Sequence, residues 1–230
     1  MFRFAASVLL LACCTQAQVQ NVIDSHFAPQ DEPLEWNPAS SFWRNVPATE
    51  IATDNFGKAQ PAHRTEIRSR WTTENLYFQF TCRYEELYSH PDPSRTAETN
   101  KLWDWDVAEV FIGSDFENIR RYREFEMSPR GEWLDLDIDL ARAVPADGWT
   151  WNSGFEVKAS IDKKNKIWYG AMRIPYRSVD SRAAAAGSLL RVNFYREQGP
   201  LARRVEIAWQ PTMQRTYHVP ERFGTLKLTK

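Results

Sequence analysis

RTEIRSRW (residues 64–71) and LYFQFTC (76–82), joined by Thr72-Thr73-Glu74-Asn75, form the stretch that decides the fold. Thr, Ile, Trp, Tyr and Phe dominate both runs, and the connecting residues are turn formers, so the segment reads as a β-hairpin. Alternation puts Leu76, Phe78 and Phe80 on one face, with Cys82 closing the run as a buried residue. Outward from this hairpin the same pattern repeats. Residues 106–112 form an extended run ended by Gly113-Ser114-Asp115. Residues 121–127 and 132–140 flank Ser128-Pro129-Arg130-Gly131, and 155–161 and 167–174 flank Asp162-Lys163-Lys164-Asn165. Further runs occupy 189–196, 205–209 and 224–228, and only residues 178–186 read as helix. About ten short strands without long helices predict an all-β, antiparallel β-sandwich, jelly-roll-like, with one short helix.

Composition agrees. The chain has 230 residues, 43% hydrophobic and 26% charged, enough apolar material for a real core. Its 29 basic and 30 acidic residues give a formal charge of -1, which argues against nucleic-acid phosphate or an anionic membrane as partner. Ten Trp against nine Gly is an aromatic surplus of the kind sugar-binding faces use. At the start, Arg3 precedes the apolar run 4–12, followed by small and polar residues, the pattern of a secretory signal cut after Ala17. Leu10-Leu11-Ala12-Cys13 is a second reading of the same segment, as a lipoprotein signal acylated on Cys13. Either way the protein is extracytoplasmic, residues 18–230 form a single domain, and no stretch approaches the ~20 apolar residues of a membrane span. Cys82 then stands alone, with no partner for an intramolecular disulfide.

Three constellations carry candidate chemistry. In residues 100–112 a Trp-rich, acid-rich loop runs into a strand: Trp103 offers a ring to a ligand, and Asp104, Asp106 and Glu109 can accept hydrogen bonds from hydroxyls. The plainer account is that Trp105 caps the core and the acids solvate the loop. Residues 210–224 form a long loop with Tyr217 and His218 at its centre, where His218 either contacts ligand or simply holds the loop. Asp135, Asp137 and Asp139 share one strand face at ~6.6–6.8 Å spacing, within the separation of glycosidase carboxyl pairs. They serve as a hydrolytic set, as oxygen ligands for calcium, or as a polar outer face opposite core-filling Leu136, Ile138 and Leu140. There is no phosphate-binding Gly-rich loop, HExxH, CxxCH or Gly-x-Ser-x-Gly elbow, and four scattered His make zinc improbable.

The order ENLYFQF, LWDWDVAEVFI, YREFEMSPRGEWLDL, WYGAMRIPY, RVNFYR, AWQPT, HVPERFGTLKL resembles the family 9 carbohydrate-binding modules, in the stand-alone form of secreted bacterial proteins, over residues 30–230. The most specific matches are Trp103, Asp106, Glu109, Val110, Phe111 and Ile112, and the closing Pro-Glu-x-Phe-Gly at 220–224. The resemblance implies a non-catalytic fold that clamps a sugar, characteristically a glycan chain end, between two aromatic rings, in support of polysaccharide breakdown or uptake. It assigns Trp103 and Tyr217 as the rings and Glu109 and Gln214 as hydroxyl partners, to which the loop reading adds His218, with an oligo- or polysaccharide as ligand and a separate glycoside hydrolase as functional partner. Some members hold structural calcium. The sequence departs from the family at two places: Tyr217 stands where the second ring is a Trp, and an Arg of the following strand aligns near Glu126. Rival readings are a glycoside hydrolase on Asp135, Asp137 and Asp139, a haem b electron-transfer module with Met127 or Met172 and His218 as axial ligands, and a surface domain that binds only a protein partner.

Overall fold

The computed structural model describes residues 21–146 and 148–230. The expected leader, residues 1–17 with Cys13, lies outside them. Twelve strands follow in chain order: β1 (Val22–Phe27), β2 (Thr49–Ile51), β3 (Thr65–Trp71), β4 (Asn75–Arg83), β5 (Val107–Gly113), β6 (Arg121–Met127), β7 (Trp133–Asp139), β8 (Glu156–Asp162), β9 (Ile167–Pro175), β10 (Leu189–Gln198), β11 (Val205–Ala208) and β12 (Gly224–Thr229). The decisive hairpin is β3–β4. Its turn is closed by Thr72, whose amide donates to the Asn75 carbonyl at 2.9 Å while its hydroxyl oxygen accepts the Asn75 amide at 3.0 Å. In β3 the residues Thr65, Ile67, Ser69 and Trp71 are buried in strict alternation with Glu66, Arg68 and Arg70.

The fold is mostly β, as expected, but its layers are joined differently from a sandwich of two separate antiparallel sheets. One hydrogen-bonded path runs β7-β6-β5-β10-β12-β1-β3-β4-β9-β8, with β11 on β10 and β2 on β3. The link is β1, which the sequence reading did not anticipate and which pairs in parallel with both β12 and β3. A parallel strand needs distant partners, so nothing next to Val22–Phe27 in the chain announces it. The continuous sheet curls, nearly as a barrel, and its two halves face each other across the main core. There Phe78 and Phe80 of β4 meet Phe194 of β10 edge-on, at centroid distances of 5.4 and 6.3 Å. Cys82 is buried there as expected, and its free thiol is pushed up to about 11 by burial.

The helix is also shorter and earlier than expected, Tyr176–Val179 rather than 178–186. Asp180 ends it: in extended conformation, its carboxylate accepts both the amide and the guanidinium of Arg182, at 3.0 and 2.7 Å. A side chain that satisfies local backbone donors this way competes with helix propagation. Leu136 and Ile138 are buried, but not in the main core; they belong to a second apolar cluster on the other face of the β7-β6-β5-β10 half.

The closing Pro-Glu-x-Phe-Gly motif has a packing reason. A Cβ on Gly224 would lie 2.5 Å from the Trp209 indole and 2.7 Å from the Asn21 carbonyl oxygen, and Arg191 holds the preceding turn by donating to the Pro220 carbonyl at 2.8 Å. The backbone oxygen cannot yield cheaply. Gly224→Ala is therefore expected to destabilise the fold by about 1–3 kcal/mol, the range of overpacked sites, measured as a drop in urea midpoint with unchanged slope.

Candidate functional site

The second apolar cluster lies on the face of the β7-β6-β5-β10 half turned away from the main core. Alternation sends Ala108, Val110 and Ile112 of β5 into the core and Val107, Glu109 and Phe111 outward. On β6, Phe125 and Met127 enter the core, while Tyr122, Glu124 and Glu126 lie on the outward face. Those outward side chains are buried all the same, because loops fold over them. Segments around residues 100–103, 144–146, 148–149 and 215–218 enclose a cavity of about 490 Å³ above this floor.

Two half-buried indoles line it, Trp103 and Trp149. Trp103 sits in a single 3-10 turn, Leu102–Asp104, entered through Lys101 in the left-handed region at φ 57°. The Arg204 guanidinium fixes that turn by donating to the Trp103 carbonyl at 2.6 Å and to the Asp104 carbonyl. Trp149 is itself left-handed, at φ 64°, directly after Gly148 at φ 74°. A bulky residue there is strained, and such strain collects where a side chain must be presented for binding. Between the indoles the floor is aromatic. Phe111 packs against Tyr122 at 5.7 Å and Tyr195 at 4.9 Å, and Tyr195 stacks on Tyr217 at 4.0 Å with 13° between planes.

Carboxyl groups occupy the same floor. Glu109, Glu124, Glu197 and Glu206 all line the cavity, and Glu126 lies across the β5–β6 pair from Glu109. Burial and the charges of Glu124 and Glu197 hold Glu109 well above the usual carboxylate range. Burial raises Glu124 to about 7 and Glu197 to about 8, the latter against the pull of Arg204, whose Nε lies 3.5 Å from its Oε2. Glu126 is fully buried and meets no N–H or hydroxyl donor; burial and the neighbouring Glu109 and Glu124 carboxyls hold it well above the usual carboxylate range. At the rim, the Tyr122 hydroxyl and His218 Nδ1 share a hydrogen bond of 2.6 Å, and partial enclosure keeps that ring's pKa below the ordinary histidine value.

Of the residues singled out in the sequence, Trp103, Glu109, Tyr217 and His218 therefore converge on one cavity. Tyr217 is a wall and not a free ring, because Tyr195 covers one face and its hydroxyl donates to the Arg196 carbonyl at 3.1 Å. Gln214 does not line the cavity; its side chain is exposed and its carbonyl accepts the Thr212 hydroxyl at 3.1 Å. Asp106 turns inward, with its carboxylate accepting the amides of Tyr88 (2.9 Å) and Gly199 (2.6 Å) and the Gln198 side chain (2.8 Å). Asp135, Asp137 and Asp139 share a face, but not the cavity's. Asp135 accepts the Ser153 amide at 2.6 Å, Asp137 pairs with Arg121 and Arg123, and Asp139 accepts the Ala141 amide at 3.1 Å. Met127 and Met172 lie in the main core, on the far side of the sheet from His218, so the proposed axial pair does not meet. Among the described residues no group of three or more His, Cys, Asp or Glu is disposed to hold a metal ion, and none is assigned to calcium. No helix among them is long and apolar enough to cross a membrane.

Trp149, Glu124 and Glu197 were not foreseen. Gly148 is the only local signal before Trp149, and nothing adjacent in the chain to Glu124 or Glu197 shows that loops cover their face.

Comparison with known proteins gives the family and the fold. Residues 37–230 match the family model described as carbohydrate family 9 binding domain-like. The chain belongs to that family. Among solved structures, a family 9 carbohydrate-binding module from Caldicellulosiruptor kristjanssonii in complex with cellotriose superposes with a TM-score of 0.66 at 14% identity, covering 90% of this chain and 94% of that one. The same organism's module in complex with glucose gives 0.64 at 14% identity, over 90% and 96% of the two chains. A Bacteroides uniformis protein inferred to bind carbohydrate gives 0.70 at 15% identity, over 90% and 98%. An extracellular protein of Arthroderma benhamiae is 23% identical over 202 residues, 82% of this chain and 84% of that protein.

The buried carboxyls imply a pH dependence whose sign can be worked out. Glu124 and Glu197, like Glu98 at about 8 beside Asp135, bind protons in the folded state that the unfolded chain releases above about 4.5. His63 and His218 are shifted down, so they oppose this trend only below the ordinary histidine value of 6.5. Above that pH the carboxyls act alone and stability falls, by up to ~1.4 kcal/mol per pH unit for each proton. Calorimetry of the ligand-free protein is expected to show a melting temperature declining from pH 6.5 to 8; a flat or rising curve contradicts the assignment.

Proposed function

We propose that this chain is a non-catalytic, extracytoplasmic sugar-binding protein that holds one end of a glycan in the cavity over β5, β6 and β10. The observation that carries the reading is a single cavity with two half-buried indoles, Trp103 and Trp149, above a floor of buried carboxyls. Sugar rings present apolar C–H faces, which aromatic rings cover while excluding water. Hydroxyls in the plane of the ring then need polar partners, since a desolvated hydroxyl left unpaired costs more than a paired one. In this reading Trp103 and Trp149 are the stacking rings, Tyr217 the wall between them, Glu109 the principal hydroxyl acceptor, and His218 a partner at the rim. Gln214 has no part in it.

The family membership supports sugar binding, and the fold is shared with modules bound to cellotriose and to glucose. Export is supported by the leader-like residues 1–17 and by likeness to an extracellular protein. The role is capture: delivery of a chain end to a separate glycoside hydrolase or uptake system. One shallow site of this kind binds with micromolar to millimolar Kd, about 4–8 kcal/mol.

A titration followed by intrinsic Trp fluorescence tests this, using mono- and disaccharides with and without their reducing ends converted to alditols. A saturable change that the alditols fail to produce is expected. Trp103→Ala and Trp149→Ala are each expected to abolish it with the melting temperature lowered by only a few degrees. Unchanged binding in both variants would sink the proposed stacking pair.

A further inference from the structure

Accepting that the cavity holds a sugar, we infer that the sugar it selects carries a protonated amine: an unacetylated amino sugar, such as the glucosamine end of a deacetylated glycan. A neutral sugar gives a floor of crowded carboxyls no charge to pair with, whereas an ammonium lets them ionise against it. Here the strands present carboxyls from Glu109, Glu124, Glu197 and Glu206. The nearby cations do not balance them. Arg204 is committed to the Trp103 and Asp104 carbonyls and to Glu197, and Lys101 and Arg215 sit exposed on the rim loops.

Some of these oxygens lack a partner in the protein. Glu124 is 4% exposed and lines the cavity, and its Oε2 receives no hydrogen bond, whereas Oε2 of Glu197, 8% exposed, has only the Arg204 Nε at 3.5 Å. Buried acceptors in this state are costly unless something supplies donors. An ammonium group brings three N–H donors and a positive charge together. It would also relieve the repulsion that, with burial, holds Glu109 so far from its ordinary ionisation. A bare metal ion fits less well, because no three acidic side chains among the described residues come close enough to share one. The indoles and Phe111 ask for an organic body attached to the charge. N-acetylation removes that charge and adds bulk, so the site should discriminate against the acetylated sugar as sharply as against the neutral one.

The test is calorimetric titration of the full chain at pH 6 with glucosamine, N-acetylglucosamine and glucose. Glucosamine is expected to bind at least tenfold more tightly than either of the others, and Glu124→Gln to cut that ratio below threefold. Glu197→Gln serves as the second variant if the first does not fold, and the comparison on the unaltered chain decides the question without either. Glucose or N-acetylglucosamine binding as well as glucosamine overturns the amine inference and leaves the sugar-binding reading intact. Silence toward all three sugars, with a cooperative melting transition still present, overturns both.

Discussion

The antiparallel pairing of β5 with β10, in register from Arg191↔Gly113 to Glu197↔Val107, is the constraint on which both the core and the cavity rest. Every residue of β5 is buried, and so is every residue of β10 after Leu189. Strands covered on both faces must satisfy two environments at once. One face of this pair supplies Val110, Ile112, Val192 and Phe194 to the main core. The other supplies Glu109, Phe111 and Tyr195, with Tyr195 directly opposite Glu109. A one-residue shift in register would move the carboxyl into the hydrocarbon core and an apolar side chain into the cavity. The core therefore holds the site in place.

Burying carboxyls on that second face costs stability, and the protein tolerates the cost where a ligand would repay it. Glu109, Glu124 and Glu126 lie within one small area, all with pKa values raised by burial, and Glu109 and Glu126 further by the neighbouring carboxyls. A fold optimised only for stability would place apolar side chains there, as β7 does with Leu134, Leu136 and Ile138. Strain at Trp149 belongs to the same pattern. Departures from local rules gather at this cavity, where sequence and backbone otherwise agree.

The motif residues of the family divide into two jobs. Trp103 and Glu109 face the cavity. Asp106 and Gly224 never reach it: Asp106 ties the chain near Tyr88 to the end of β10, and Gly224 lets Trp209 lie against the start of β12. The departures from the family also resolve differently. Tyr217 is absorbed into a stack with Tyr195, while Trp149 stands half-buried at the cavity on a left-handed turn. Glu126, near which the resemblance aligns an Arg, is fully buried beside Glu109 and does not line the cavity.

Local rules by themselves determined the ten later strands to within a few residues, the Thr72–Asn75 turn, the buried face of β4 and the burial of Cys82. All of these follow from side-chain alternation and turn chemistry, which act over a few residues. Tertiary structure alone decided the parallel seam through β1, the cavity role of Trp149, and the convergence of Glu109, Glu124 and Glu197. It also decided that Leu136 and Ile138 serve the cavity's apolar floor and not the main core. The physical reason is the same in each case. A period of two tells which residues share a face, but what covers that face depends on strands and loops a hundred residues away.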